Sequence, residues 1–375
     1  MIHHRIENTE DLTGFCLTAG RKGEKVKVAV RDFITSNEKL FFTVIRGIYN
    51  IFLQSFIQLE ECNHFLILRH KDKSADIYIN DFERLLQCIS KCEINSGQPV
   101  KKTDIADIVA LEFPNIKISK TDAIIFCMRV GWKFGLYFNF TANPNFTRGI
   151  ELDLSQINYE LGYAYRFLLF EEEYELIKNE KLYPKMLSDG WFPFIELIGA
   201  DYKELSNLYS NQWLDQIDGF LKKFDKTRIN KMTKSWWSKK QFQDKRELIE
   251  AGISAFLQDR NSGYINCINT LYPQIEGIMG FEFYKAHGKK PSFKELTEYI
   301  RNRAKNRFSS KGSLGFPDYF YEFLDKDVFQ KFDLSTGRLD LARHSSAHGY
   351  AKQEDFTKVK ALQALLILNQ IFFYL

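Results

Sequence analysis

Residues 361–375 read ALQALLILNQIFFYL, and no other stretch constrains the fold as tightly. The run is apolar at every angle around a helix, so a single packed face cannot satisfy it. A helix of this kind is surrounded on all sides, inside a bundle or against a second copy of the chain. A membrane span needs about 20 apolar residues. This run is shorter and is interrupted by Gln363, Asn369 and Gln370. The expectation is therefore a buried helix and no membrane.

The rest of the chain divides by pattern. In residues 1–145, KVKVAVRDFI (25–34) alternates like a half-buried strand, and NEKLFFTVIRGIYNIFLQSFIQLEE (37–61) suits a buried helix. HFLILRH and ADIYIND, separated by KDKS, predict a hairpin. DAIIFCMRVGWKFGLYFNF (122–140) predicts one or two strands, and the turn-rich TANPNFTRG (141–149) marks a boundary. Helical spacing takes over after it. Residues 151–182 begin at an Asp153 or Ser155 cap, SDGWFPFIEL (188–197) reads as a turn, and further helices are expected at 200–224, 246–258 and 263–280. Ser292 and Glu295 form a capping-box pattern that opens a helix over 292–308. The expected class is α+β. A mixed α/β domain occupies 1–145, a helical middle region 146–240 and a helical bundle 241–375.

The totals exclude several functions. The net charge of +4 and pI of about 8.5 do not by themselves name a nucleic-acid partner. Six dispersed cysteines form no CxxC pair, which argues against a disulfide framework or a zinc site. The opening MIHHRIENTEDLTG lacks the apolar core of a signal peptide, and the expected location is the cytoplasm.

The densest chemistry is RHSSAHGY at 343–350. His344 and His348 are i, i+4, the spacing of two zinc ligands in HExxH. The glutamate base is missing and no third ligand is evident, so zinc hydrolysis is a weak reading. Arg343 and His348 are i, i+5, about 140° apart on a regular helix. They converge only if the backbone departs from that helix or the arginine reaches round.

Arg343, His344 and His348, followed by Gly349, a polar stretch and a leucine-rich helix, resemble the signature of HEPN domains, an arginine followed within a few residues by a histidine. RELIEAGISAFLQDRNSGYINCINTLYPQIEGIMG resembles the helix pair that precedes the motif in one bacterial group of that family, and SDGWFPF resembles its upstream segment. The likeness covers about 240–375, is fainter over 150–240 and does not extend to 1–145. Ala342 stands where many relatives carry asparagine. The resemblance implies a HEPN-type helical bundle and a metal-independent endoribonuclease without cofactors, acting as a homodimer on tRNA or single-stranded RNA as a toxin or anti-phage effector. Residues 1–145 would sense a trigger or gate access.

The implied roles have a chemical rationale. The 2′-hydroxyl of RNA attacks the adjacent phosphate, so the enzyme moves protons and stabilises a more negative phosphorane. His348 suits acid/base transfer near neutral pH. Arg343 offers a fork of donors to phosphate oxygens, and His344 supports them. The alternative is a HEPN module that binds RNA or dimerises without cleaving.

Other residues carry two readings each. LKKFDKTRINKMTKSWWSKKQFQDKR (221–246) has ten Lys/Arg against two Asp. Trp236 and Trp237 within it either stack a base or pack inward. Arg301, Arg303, Lys305 and Arg307 in RNRAKNRFSSKG either contact RNA or form a solvated linker. Glu276, in the apolar run PQIEGIMG, calls for a cationic partner such as Arg343 or a lysine. It is either structural or a support for catalysis. His3, His4, His64, His70 and His287 have no recognisable partners in the sequence.

Overall fold

The structure, a computed structural model, describes residues 2–10, 14–16, 18–140, 151–308, 312–329 and 353–375. The chain is α+β, with strands concentrated before residue 140 and helices after residue 151. It divides into two compact units. The first holds residues 1–88 and 108–171, and the second holds residues 89–107 and 172–375.

The first unit is built on an antiparallel sheet. Its strands are β1 (Ile2–Ile6), β4 (Arg31–Thr35), β5 (Phe65–Arg69), β6 (Ala75–Ile79), β9 (Ala123–Val130) and β10 (Lys133–Asn139), ordered β1-β6-β5-β9-β10-β4. Short β2 (Phe15–Cys16) and β3 (Val28–Ala29) form a separate pair, as do β7 (Leu85–Ser90) and β8 (Ile105–Glu112). The predicted hairpin is present, and 122–140, expected as one or two strands, forms a second one. Phe65 lies opposite Ile79 in the β5–β6 pair, and β9 and β10 pair from Val130 opposite Lys133. The expected strand over 25–34 is instead two strands that serve different partners, β3 pairing with β2 and β4 with β10.

Side chains alternate across a sheet, and here both faces are buried. Phe65, Ile67, Ile77 and Ile125 pack on one side with Phe41, Val44 and Ile48 of α1 (Phe41–Ile48). Leu66, Leu68, Ile124 and Phe126 pack on the other with Ile157, Leu161 and Leu168 of α2 (Leu154–Leu169). Double burial is why HFLILRH shows no polar alternation. The 37–61 helix is shorter than its apolar pattern: α1 continues as a π-helical turn over Tyr49–Leu53 and stops. Asp153 caps α2 by accepting from the Gln156 N–H at 3.2 Å.

The second unit is helical. It contains α3 (Glu171–Lys178) from residue 172 onward, α4 (Leu182–Ser188), α5 (Ala200–Ser210), α6 (Ile217–Leu221), α7 (Lys226–Thr233), α8 (Lys240–Gln243) and α9 (Arg246–Phe256). The long α10 (Asn261–His287) follows, then α11 (Phe293–Arg307), α12 (Pro317–Phe323) and α13 (Lys358–Tyr374). The Ser292–Glu295 capping box is present at the start of α11.

Helix α13 is the apolar run, and it packs against α9, α10 and α11. Residues Ala361 to Ile371 are all buried. Its three amide side chains, isolated in the sequence, find partners on distant segments. Gln363 donates to the Asp189 carbonyl at 2.7 Å, and Asn369 accepts from the Trp236 indole at 2.9 Å. Gln370 accepts from the Ile195 N–H at 2.8 Å and donates to the Gly315 carbonyl at 3.2 Å. Buried polar groups require such partners, so the amides fix which segments surround the helix. Among the described residues no helix is long and apolar enough to cross a membrane.

Candidate nucleic-acid interface

Arg343, His344 and His348 lie outside the described residues, as does the boundary expected at 141–149. The chain is described up to Phe329 and again from Gln353, where a short turn precedes α13. Thr357 caps α13 by accepting from the Lys360 N–H at 3.2 Å.

Arg301, Arg303, Lys305 and Arg307 of α11 separate into two pairs, because i, i+4 residues share a helix face. Arg301 and Lys305 both reach Asp318, at 2.5 and 2.8 Å, and Arg301 also lies over the Tyr321 ring. They tie α11 to α12. Arg303 and Arg307 are exposed on another face, where Arg303 donates to the Leu375 carbonyl at 3.2 Å.

Lys239 joins that second pair from the other basic stretch. Its ammonium donates to the Phe372 carbonyl and lies over the Phe372 ring. Burial pulls its pKa down to about 8, and the charges of Arg307 and Arg303 push in the same direction. So Lys239, Arg303 and Arg307 come together at the C-terminal end of α13, with the Glu282 carboxylate also acting on Lys239. Terminal carbonyls there carry the negative end of the helix dipole, which favours cations. Such a cluster suits phosphate oxygens.

Four further cations of the 221–246 stretch are paired with acids among the described residues. Arg228 bridges Glu196 and Asp201 at 3.1 and 2.7 Å. Lys223 pairs with Glu204, Lys234 with Glu93 and Arg246 with Glu250. Several of these acids lie far away in the sequence, so the local count of ten cations against two acids overstates the field at the surface.

The tryptophans part ways. Trp236 is fully buried and its indole N–H is held by Asn369, so it has no ring face for a base and takes the inward-packing reading rather than the stacking one. Trp237 is half-buried, with the Arg246 guanidinium 5.1 Å from its ring centroid. Glu276 is half-buried on α10 and helps line a cleft of about 690 Å³ between α10 and the start of α11.

Two polar sites had no signal in the sequence. Lys91 donates to the Ile198 carbonyl at 2.8 Å beside a cavity of about 270 Å³, and burial pulls its pKa down to about 8. In the first unit, His70 holds buried Asp122 at 2.8 Å and Asp76 at 3.0 Å, and His3 and Arg5 also reach Asp76. His64 accepts from the Arg129 N–H, and burial, with Arg84 and Arg129 nearby, pulls its pKa down to about 4. Among the described residues no three His, Cys, Asp or Glu side chains are placed to hold a metal ion.

No family model, no curated protein and no solved structure matches this chain.

Proposed function

We propose that this protein is a metal-independent endoribonuclease whose helical unit binds and cleaves RNA. The observation that carries the reading is the joining of Lys239, Arg303 and Arg307 into one cationic cluster. These residues come from the two basic stretches of the sequence, where cations such as Arg228, Arg246 and Lys305 are paired with acids. A phosphate backbone is the natural partner for such a cluster.

The chemistry is assigned to the 343–348 motif, on its likeness to HEPN domains. Arg343 stabilises the phosphorane, His348 transfers protons, and His344 orients them. The 2′-hydroxyl is the nucleophile, and the products end in 2′,3′-cyclic phosphates. Two copies, related by a two-fold axis, bring two motifs to one cleft, since a C2 interface places the same residues on both sides. The setting is the cytoplasm, where such an enzyme acts as a toxin or phage-defence effector on tRNA or single-stranded RNA. The sheet-containing unit senses the trigger or gates the site.

The test uses full-length protein, wild type and His348→Ala, with tRNA and with single-stranded RNA in EDTA. Cleavage by wild type alone, with cyclic phosphate ends, is expected. Cleavage that survives His348→Ala overturns the site assignment. RNA bound but left intact by wild type overturns the nuclease reading in favour of a binding module.

A further inference from the structure

On α10, Gly277, Gly280, Phe281 and Tyr284 fall at i, i+3, i+4 and i+7, which is one face of the helix. A Cβ at either glycine would meet nothing within 4 Å, and neither glycine has a positive φ. Neither backbone crowding nor backbone geometry therefore calls for glycine, although glycine weakens a helix interior. What the two positions do is leave a bare floor. Beside it Phe281 and Tyr284 are 48% and 57% exposed, unusual for large aromatic rings.

The start of α11 forms the facing wall, with Lys290, Pro291 and Phe293. Lys289 is paired to Glu295 at 2.6 Å, whereas its neighbour Lys290 has no ion pair among the described residues. The open cleft, of about 690 Å³, falls in the size range of small-ligand sites. It combines exposed ring faces, an open floor, the half-buried Glu276 carboxylate and the Lys290 cation.

We infer that this cleft seats a base of single-stranded RNA, stacked on Phe281 and Tyr284, with Lys290 facing the adjoining phosphate. The inference rests on the RNA reading above and adds to it the place where a base is held. Stacking on aromatic side chains tolerates any base, because each base has a π-face. The cleft therefore favours unpaired RNA over duplex, whose bases are already stacked.

The experiment uses full-length His348→Ala protein, so that the RNA stays intact. Binding of a labelled six-nucleotide RNA is followed by fluorescence anisotropy in EDTA. The same RNA carrying 4-thiouridine is photo-crosslinked and the attached peptide identified by mass spectrometry. Crosslinks within residues 277–293 are expected. Phe281→Ala and Tyr284→Ala should each weaken binding at least about fivefold, while Phe281→Tyr and Tyr284→Phe retain it. The ring-conserving pair keeps the test valid if an alanine variant folds poorly.

RNA that binds but crosslinks elsewhere, with the alanine variants unaffected, overturns the cleft and leaves the nuclease reading standing. Absence of RNA binding overturns both. AMP binding as tightly as the six-nucleotide RNA replaces RNA with a free nucleotide as the ligand. Altered self-association with unchanged RNA affinity makes the face a protein interface and overturns the inference.

Discussion

Replacing Gln370 by leucine tests how the apolar C-terminal helix is held. Gln370 is 1% exposed in the middle of a buried helix, and leucine has similar volume and helix propensity. Shape is nearly conserved, so the change isolates the polar contacts. The three partners of Gln370 among the described residues respond differently, and the Tyr374 hydroxyl loses the Gln370 donor while still donating to the Gly315 carbonyl. The Gly315 carbonyl loses the Gln370 donor but keeps the Tyr374 hydroxyl. The Ile195 N–H has Gln370 as its acceptor, and Ile195 is fully buried. An orphaned buried donor costs about 1–3 kcal/mol, whereas a carbonyl that keeps one donor costs little. The expected loss is therefore about 2 kcal/mol, which for a unit of this size lowers Tm by about 4–8 °C. Trp191 and Trp236, both fully buried in the helical unit, report its unfolding by fluorescence in urea. A loss below about 0.5 kcal/mol, or a gain, would refute the reasoning. It would mean that the amide contributes no more than an apolar group of its size.

Two predictions concern the sheet-containing unit. Gly162 of α2 sits so close to β8 that a Cβ would lie 2.6 Å from the Ala110 Cα. Gly162→Ala must push helix from strand and should cost about 1–3 kcal/mol in thermal unfolding; an unchanged Tm would show that α2 shifts freely. At His70, burial disfavours the charge, but hydrogen bonds to Asp122 and Asp76 and their negative charges outweigh it, and the pKa is raised. A raised folded-state pKa gives stability that is complete below the unfolded value of about 6.5 and is lost as pH rises through the folded value. Thermal melts across that window should show the loss in wild type and not in His70→Gln, and an equal loss in both would remove His70 as its source.

The sequence by itself determined the element types and several of their ends. Helix caps at Asp153 and Ser292, and the β5–β6 hairpin, depend on residues a few positions apart, so their patterns are visible along the chain. The all-round apolarity of 361–375 likewise required burial before any partner was known. Tertiary structure decided which polar groups are spent and which are left. The basic run 221–246 was open between a nucleic-acid surface and a solvated face, and only folding brought acids such as Glu93, Glu196 and Asp201 onto some of its cations. Trp236, which the sequence left open between stacking a base and packing inward, packs inward with its indole N–H held by Asn369, more than a hundred residues later. Charge pairing and burial act through distances in space, and a sequence orders residues only by distance along the chain. Hence Lys239, Arg303 and Arg307 became one cluster only on folding, and so did the cleft beside Phe281 and Tyr284.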